Sequence, residues 1–150
     1  QNTSPPVEAT VVEPSLAGEE LLFSVSILNE VPELRRLRRE IERTLADTPA
    51  QSIIMNVNLA IDEATQNIIR HAFPEGMSGR IEIAGYISDG LLNISLTDTA
   101  PLIDLDKVRP RDMQDVREGG LGTHFIIEIT QSANWWHDNG RNRLDLIFKI

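Results

Sequence analysis

The chain has 150 residues, 41% hydrophobic and 25% charged, with 14 basic against 23 acidic side chains and a formal net charge of −9. A chain of this length buries roughly 68–70% of the surface its unfolded form exposes, which fits one domain with a full core rather than two. The acidic excess argues against direct nucleic-acid binding, no apolar run approaches the ~20 residues of a membrane span, and the lack of cysteine excludes a disulfide framework, a thiol nucleophile and a cysteine-held metal. The lack of cysteine and of an amino-terminal signal segment fits the cytoplasm. The first residue is Gln1 rather than Met, as expected of a processed chain or a domain cut from something longer.

Residues 1–18, with Pro5, Pro6 and Pro14 and little periodicity, read as a disordered tail or interdomain linker, leaving 19–150 as the domain. Leu21–Ile27 alternates apolar and polar residues as a strand does. Pro32 suits the first turn of a helix whose core stripe is Leu34, Leu37, Ile41 and Leu45. Five of the 14 basic residues, Arg35, Arg36, Arg38, Arg39 and Arg43, crowd this helix. They read either as a solvated face beside Glu40 and Glu42 or as a docking surface for an acidic partner, with Arg35, Arg36, Arg38 and Arg39 as the candidate contacts.

A second helix is expected from about Ile53 to Phe73, stopped by Pro74 and Gly76, with Val57, Ile61, Ala64 and Ile68 inward. Strands Arg80–Ile87 and Leu91–Asp98 flank the hairpin signal Asp89-Gly90. Residues 99–118 have no period and read as a functional loop. A third helix is expected from Gly122 to about Ser132, then strands Asn134–His137 and Arg143–Ile150 around Asn139-Gly140. The order predicts an α+β fold: a two-layer α/β sandwich with a mixed, mostly antiparallel sheet and helices on one face.

Three segments carry chemistry. At about 100° per residue, Glu63, Asn67 and His71 share one stripe at the border of the buried face of the second helix, while Asp62, Gln66 and Arg70 point to solvent. A carboxylate and a carboxamide so placed suit Mg²⁺ and proton abstraction, or simply mark a helix border. Glu118-Gly119-Gly120-Leu121-Gly122-Thr123 precedes a helix, where glycine backbone N–H groups can approach an anion; neither a Walker loop nor a dinucleotide fingerprint is present. Asp98, closing a strand, either starts a turn or accepts a hydrogen bond from an exocyclic amine such as adenine N6.

Together these segments resemble the GHKL ATP-binding superfamily, of Bergerat fold, and within it the anti-sigma-factor serine/threonine kinases, or switch-protein kinases. The resemblance rests on Glu63-x-x-x-Asn67-x-x-x-His71, on Asp98, on Gly119-Gly120-Leu121-Gly122 and on Asn142-Arg143-Leu144, and covers residues 20–150. It implies transfer of the ATP γ-phosphoryl group to a Ser or Thr of an anti-sigma-factor antagonist of STAS-like type in a bacterial partner-switching pathway. It implies that Asn67 ligates Mg²⁺, that Glu63 is the general base and that Asp98 holds the adenine amine. Ala100, Gly119, Gly120, Leu121, Gly122 and Thr123 would complete the nucleotide site. The segment 105–118 would be a lid in which Lys107, Arg109, Arg111 or Arg117 meets phosphate. His71 is expected to support the site, and His124 and His137 to be structural. Ala100 stands where the superfamily often has glycine. A sigma factor or other regulator is an expected competing partner, and the resemblance is compatible with a homodimer. The alternatives are a non-catalytic, nucleotide-responsive module that sequesters a sigma factor or antagonist, and a histidine-kinase ATP domain.

Overall fold

The computed structural model describes residues 21–108 and 121–150, with the side chains of Leu121 and Gly122 excepted. The expected tail, residues 1–18, lies outside the described residues. β1 (Phe23–Leu28) leads into α1 (Glu33–Leu45), whose four predicted stripe residues are all buried at 0–6% exposure. Pro32 sits one place earlier than expected, at the N-cap, with helical φ and ψ. A 3₁₀ turn, Pro49–Ile53, is capped by the Thr48 hydroxyl, which accepts from the Ala50 N–H at 3.1 Å.

The single helix expected over 53–73 is instead α2 (Ile54–Asn67) followed by a π turn, Ile68–Ala72. Thr65 precedes the change and is fully buried; its hydroxyl donates to the Ile61 carbonyl at 2.7 Å. Such back-bonding perturbs a helix ladder and often bends it. The Phe73 N–H then reaches back five residues to the Ile68 carbonyl, and Pro74 ends the run. Asn29, just past β1, pins the segment that follows. It donates to the Met77 carbonyl at 2.8 Å and accepts from the Gly79 N–H at 2.9 Å. Gly79 is forced by space, because a Cβ there would lie 2.3 Å from the Phe73 ring and 2.6 Å from the Thr99 hydroxyl.

β2 (Arg80–Ser88) and β3 (Leu91–Asp98) follow, then a short helix α3 (Leu105–Val108), α4 (Leu121–Ile129), β4 (Ser132–Asp138) and β5 (Arg141–Lys149). α3 falls inside the segment expected to be irregular, and α4 stops about one turn before Ser132. Both predicted hairpin turns are present, with positive φ at both central residues: 53° and 76° at Asp89-Gly90, 56° and 78° at Asn139-Gly140. That combination matches the twist of the flanking strands.

The five strands form one sheet in the order β1-β2-β3-β5-β4, and every pairing is antiparallel, so the parallel component allowed by a mixed sheet is absent among the described strands. Alternation sends Val25, Ile27, Ile81, Ile83, Leu92, Ile94, Leu96, Leu144, Leu146 and Phe148 into one core with the inward residues of α1, α2 and α4. The opposite face carries polar residues and a side-chain cluster on β4 and β5. Arg143, 4% exposed, pairs with Asp138 at 3.0 Å and Asp145 at 2.9 Å and lies 5.2 Å from the centre of the Trp136 ring, whose Nε1 donates to Asp145 at 2.7 Å. Burial raises the Asp145 carboxyl above its ordinary value, against the lowering effect of Arg143. A small cavity beside this cluster, lined by Leu21, Ala84, Tyr86 and Asn93 among others, lies on the far side of the sheet from the helices.

Candidate nucleotide site

Asp98 ends β3 on the face turned to the helices, in phase with Leu92, Ile94 and Leu96, and is 2% exposed. Its Oδ1 accepts from the Asn142 carboxamide at 2.9 Å and from the Ala100 N–H at 3.0 Å. Oδ2 has no hydrogen-bond donor among the described residues, so the buried carboxylate keeps one acceptor in reserve. Burial raises the Asp98 carboxyl above its ordinary value; the two hydrogen bonds oppose that shift without cancelling it.

Asn142 is the residue that sequence reasoning missed in this role. It sits opposite Asp98 in the β3–β5 register and is 3% exposed. Its Nδ2 donates both to Asp98 and to the Pro101 carbonyl at 3.0 Å, and its Oδ1 accepts from the Ile103 N–H at 2.9 Å. From the next strand, His137 Nε2 bonds the Ile103 carbonyl at 3.0 Å; since a carbonyl only accepts, Nε2 carries the proton. The segment 100–103 is therefore tied down by two neighbouring strands. The available signal was a polar residue at an inward position of a strand otherwise apolar at 144, 146 and 148.

Ala100 has ordinary negative φ, and its methyl belongs to the buried core at 5% exposure, so this backbone has no conformational need for glycine. Thr123, in the first turn of α4, is buried at 8%, and α4 packs against α2. Leu121 and Gly122 belong to α4, whereas Glu118, Gly119, Gly120, Arg109, Arg111 and Arg117 lie outside the described residues. Lys107 is exposed on α3.

On α2, Glu63 and Asn67 are half-buried, and neither has a hydrogen-bond or ion-pair partner among the described residues. His71 is exposed in the π turn, whose wider spacing carries it out of phase with the stripe that Glu63 and Asn67 begin. Asp62 accepts from Arg38 at 3.0 Å and from Gln66 at 2.8 Å, and Gln66 accepts from Arg70 at 2.6 Å, so the outer side of α2 is a polar chain tied to α1. His124 pairs with Glu128 at 3.3 Å along α4. Among the described residues no three His, Asp or Glu side chains gather to hold a metal.

Of the four arginines expected to meet a partner, two are used internally. Arg36 donates to the Ser26 carbonyl at 2.9 Å and pairs with Glu33 at 3.1 Å; the same pair holds the Glu33 carboxyl below its ordinary value. Arg38 holds Asp62. Arg35 and Arg39 are exposed and have no hydrogen-bond or ion-pair partner among the described residues.

The family profile of the histidine kinase-like ATPase domain matches residues 27–148. The chain belongs to this family. It is 27% identical over 95 residues to the serine-protein kinase RsbW of Halalkalibacterium halodurans, covering 58% of this chain and 57% of that one. It is 31% identical over 83 residues to RsbW of Oceanobacillus iheyensis, covering 50% and 52%. The chain thus spans a little over half the length of the curated relatives it matches. The fold is shared with the RsbU and RsbW domains of a Mycobacterium tuberculosis protein, at a TM-score of 0.59 and 20% identity over 85% of this chain and 32% of that one. It is shared also with a blue-light activated histidine kinase of Erythrobacter litoralis, at 0.50 and 18% over 79% and 63%. No helix among the described residues is long and apolar enough to cross a membrane.

Proposed function

We propose that residues 19–150 form a serine/threonine protein kinase of the anti-sigma-factor type, which transfers the γ-phosphoryl group of Mg·ATP to a Ser or Thr of an antagonist protein. The observation that carries the nucleotide half is Asp98: a buried carboxylate with Oδ1 doubly engaged and Oδ2 kept as an acceptor suits the exocyclic amine of adenine. Asn67 would lend its amide oxygen to the Mg²⁺ that accompanies the phosphates, and that ion would neutralise phosphate charge. Glu63, one turn away on the same side of α2 and without a competing partner, would take the proton from the attacking hydroxyl. Phosphoryl transfer asks chiefly for positioning and charge neutralisation, so one carboxylate, one amide and the backbone N–H groups of Gly119-Gly120-Leu121-Gly122-Thr123 suffice. The RsbW relatives support protein as the substrate, with a STAS-like antagonist, a competing sigma factor and a homodimer as the partners this reading expects, in the cytoplasm.

Calorimetric titration with ATP, with and without Mg²⁺, tests the site. Binding that requires Mg²⁺ and falls at least tenfold in Asp98→Asn is expected. Transfer should fall by orders of magnitude in Glu63→Gln with ATP affinity kept. An intact, folded protein that binds no ATP would remove the reading, and full transfer by Glu63→Gln would remove the base.

A further inference from the structure

The sheet register sets Leu28 opposite Arg80 and Ile81 opposite Asp98, so Asn29, Gly79 and Thr99 meet just beyond the edge at which β3 ends. Hydrogen bonds lock this junction. The Asn29 N–H donates to the Gly79 carbonyl at 3.1 Å, and the Asn29 Oδ1 accepts from the Gly79 N–H at 2.9 Å. The Thr99 N–H donates to the Arg80 carbonyl at 3.2 Å, and the Thr99 hydroxyl accepts from the Arg80 N–H at 3.0 Å. The ring of Phe73, buried at 5% exposure, lies on the junction. A Cβ on Gly79 would overlap both the ring and the Thr99 hydroxyl, so these two groups share the space that the glycine leaves. Gly79 does not have a positive φ; it serves this close approach rather than a turn.

Phe73 is also where the α2 segment closes. Its N–H bonds the Ile68 carbonyl at 3.3 Å, one residue farther back than an α turn reaches. Ile68 directly follows Asn67, the last residue of α2, and Thr99 directly follows Asp98. One residue therefore joins the helix end that carries Asn67 to the strand end that carries Asp98, by its backbone on one side and its ring on the other.

We infer that Phe73 is a positioning residue: its ring, brought by the π turn into the seat of Gly79 and Thr99, fixes the span between Asn67 and Asp98 and so the fit of a ligand that must reach both. The inference rests on the nucleotide reading above and adds the element that holds the two halves in register. A nucleoside triphosphate has its base at one end and its phosphates at the other, and misplacing one end by about 1 Å costs a positioned reaction roughly 10²-fold. Asp98 is held by Asn142 and the Ala100 N–H, and Phe73 takes no part in either bond. Loss of the ring leaves the base end intact and loosens its distance from the phosphate end.

The test compares adenosine, which occupies the base end alone, with Mg·ATP, which needs both ends, by calorimetry on the full chain. Phe73→Ala removes the ring, Gly79→Ala keeps the ring but puts a methyl group in its seat, and Phe73→Leu keeps the core filled while reaching less far over Gly79. Each is checked for folding by circular dichroism. Both alanine variants are expected to lose roughly tenfold or more in ATP affinity, with adenosine affinity within about twofold of native, and Phe73→Leu to fall between them and the native chain. Since the two alanine substitutions break one contact, Phe73→Ala/Gly79→Ala should lose no more than the weaker single variant. Gly79→Ala and Phe73→Leu decide the matter if Phe73→Ala does not fold. Equal losses for adenosine and ATP in the folded variants, or no loss for either, would overturn the positioning role and leave the nucleotide site standing. A native chain that binds neither ligand would overturn the nucleotide reading and this inference with it.

Discussion

A single carboxamide holds the end of β3 and the segment after it. Asn142 satisfies Asp98, Pro101 and Ile103 at once, from a position with 3% exposure. In Asn142→Ala the Pro101 carbonyl and Ile103 N–H lose their partner, and Asp98 keeps only the Ala100 N–H. At about 1–3 kcal/mol for each buried group left unsatisfied, a loss of several kcal/mol in denaturant unfolding is expected, together with at least tenfold weaker ATP binding. Unchanged ATP affinity would separate the latch from the site. Asp98 itself sets a pH dependence. Its folded carboxyl titrates above the ordinary value because burial disfavours the charge. Between the ordinary and the raised value the native state holds a proton that the unfolded chain has released, so this group's contribution to stability falls as pH rises through that window. The ionised form is the one that accepts from an amine. ATP affinity should therefore decline on the acid side at a higher pH than an unperturbed aspartate would give, and calorimetry across the acid range reads this directly. An acid limb at the ordinary aspartate value would refute the assignment of Asp98.

At the scale of elements, the β4–β5 hairpin supports the site from behind. Arg143 is almost fully buried between Asp138, Asp145 and the Trp136 ring. Removing one member of a buried ionic group leaves the others uncompensated, at about 3–5 kcal/mol. Arg143→Ala should accordingly lower stability by about that amount, and Arg143→Met, which retains the apolar volume but leaves the same two carboxylates uncompensated, should cost nearly as much. A much smaller loss in Arg143→Met than in Arg143→Ala, read by chemical denaturation, would mean that volume rather than charge matters here. The elements themselves were largely legible in the sequence. The α1 stripe, the inward alternation of β3 and both hairpin turns follow from periodicity and from Asp-Gly and Asn-Gly chemistry. The π turn was not legible, because residues 68–72 keep an apolar, helix-like composition and the change depends on Thr65 bonding back to Ile61 in three dimensions. The division of the arginines was equally hidden. Arg36 and Arg38 differ from Arg35 and Arg39 only in what other elements bring near them. Of the candidate site, Glu63, Asn67 and Asp98 were singled out by spacing and by the resemblance, whereas Asn142 was quoted only within the resemblance and its anchoring of residues 101 and 103 followed from strand register.

At the scale of the molecule, the sheet makes the platform and the helices pack on one of its faces. The sheet presents Asp98 and Asn142 from adjacent strands, α2 carries Glu63 and Asn67 half-buried, and α4, with Thr123 in its first turn, packs against α2. The row that crosses the sheet from Ile81 through Asp98 and Asn142 to His137 has a further consequence. A strand slipped by two residues keeps each side chain on its proper face, so the core alone discriminates weakly against that error. Here a two-residue slip of β5 would set Leu144 against Asp98 and strip the 100–103 segment of its anchors. Any ligand that requires Asp98 and that segment in place would bind only the chain in correct alignment, and its binding energy would act as a proofreader of the fold.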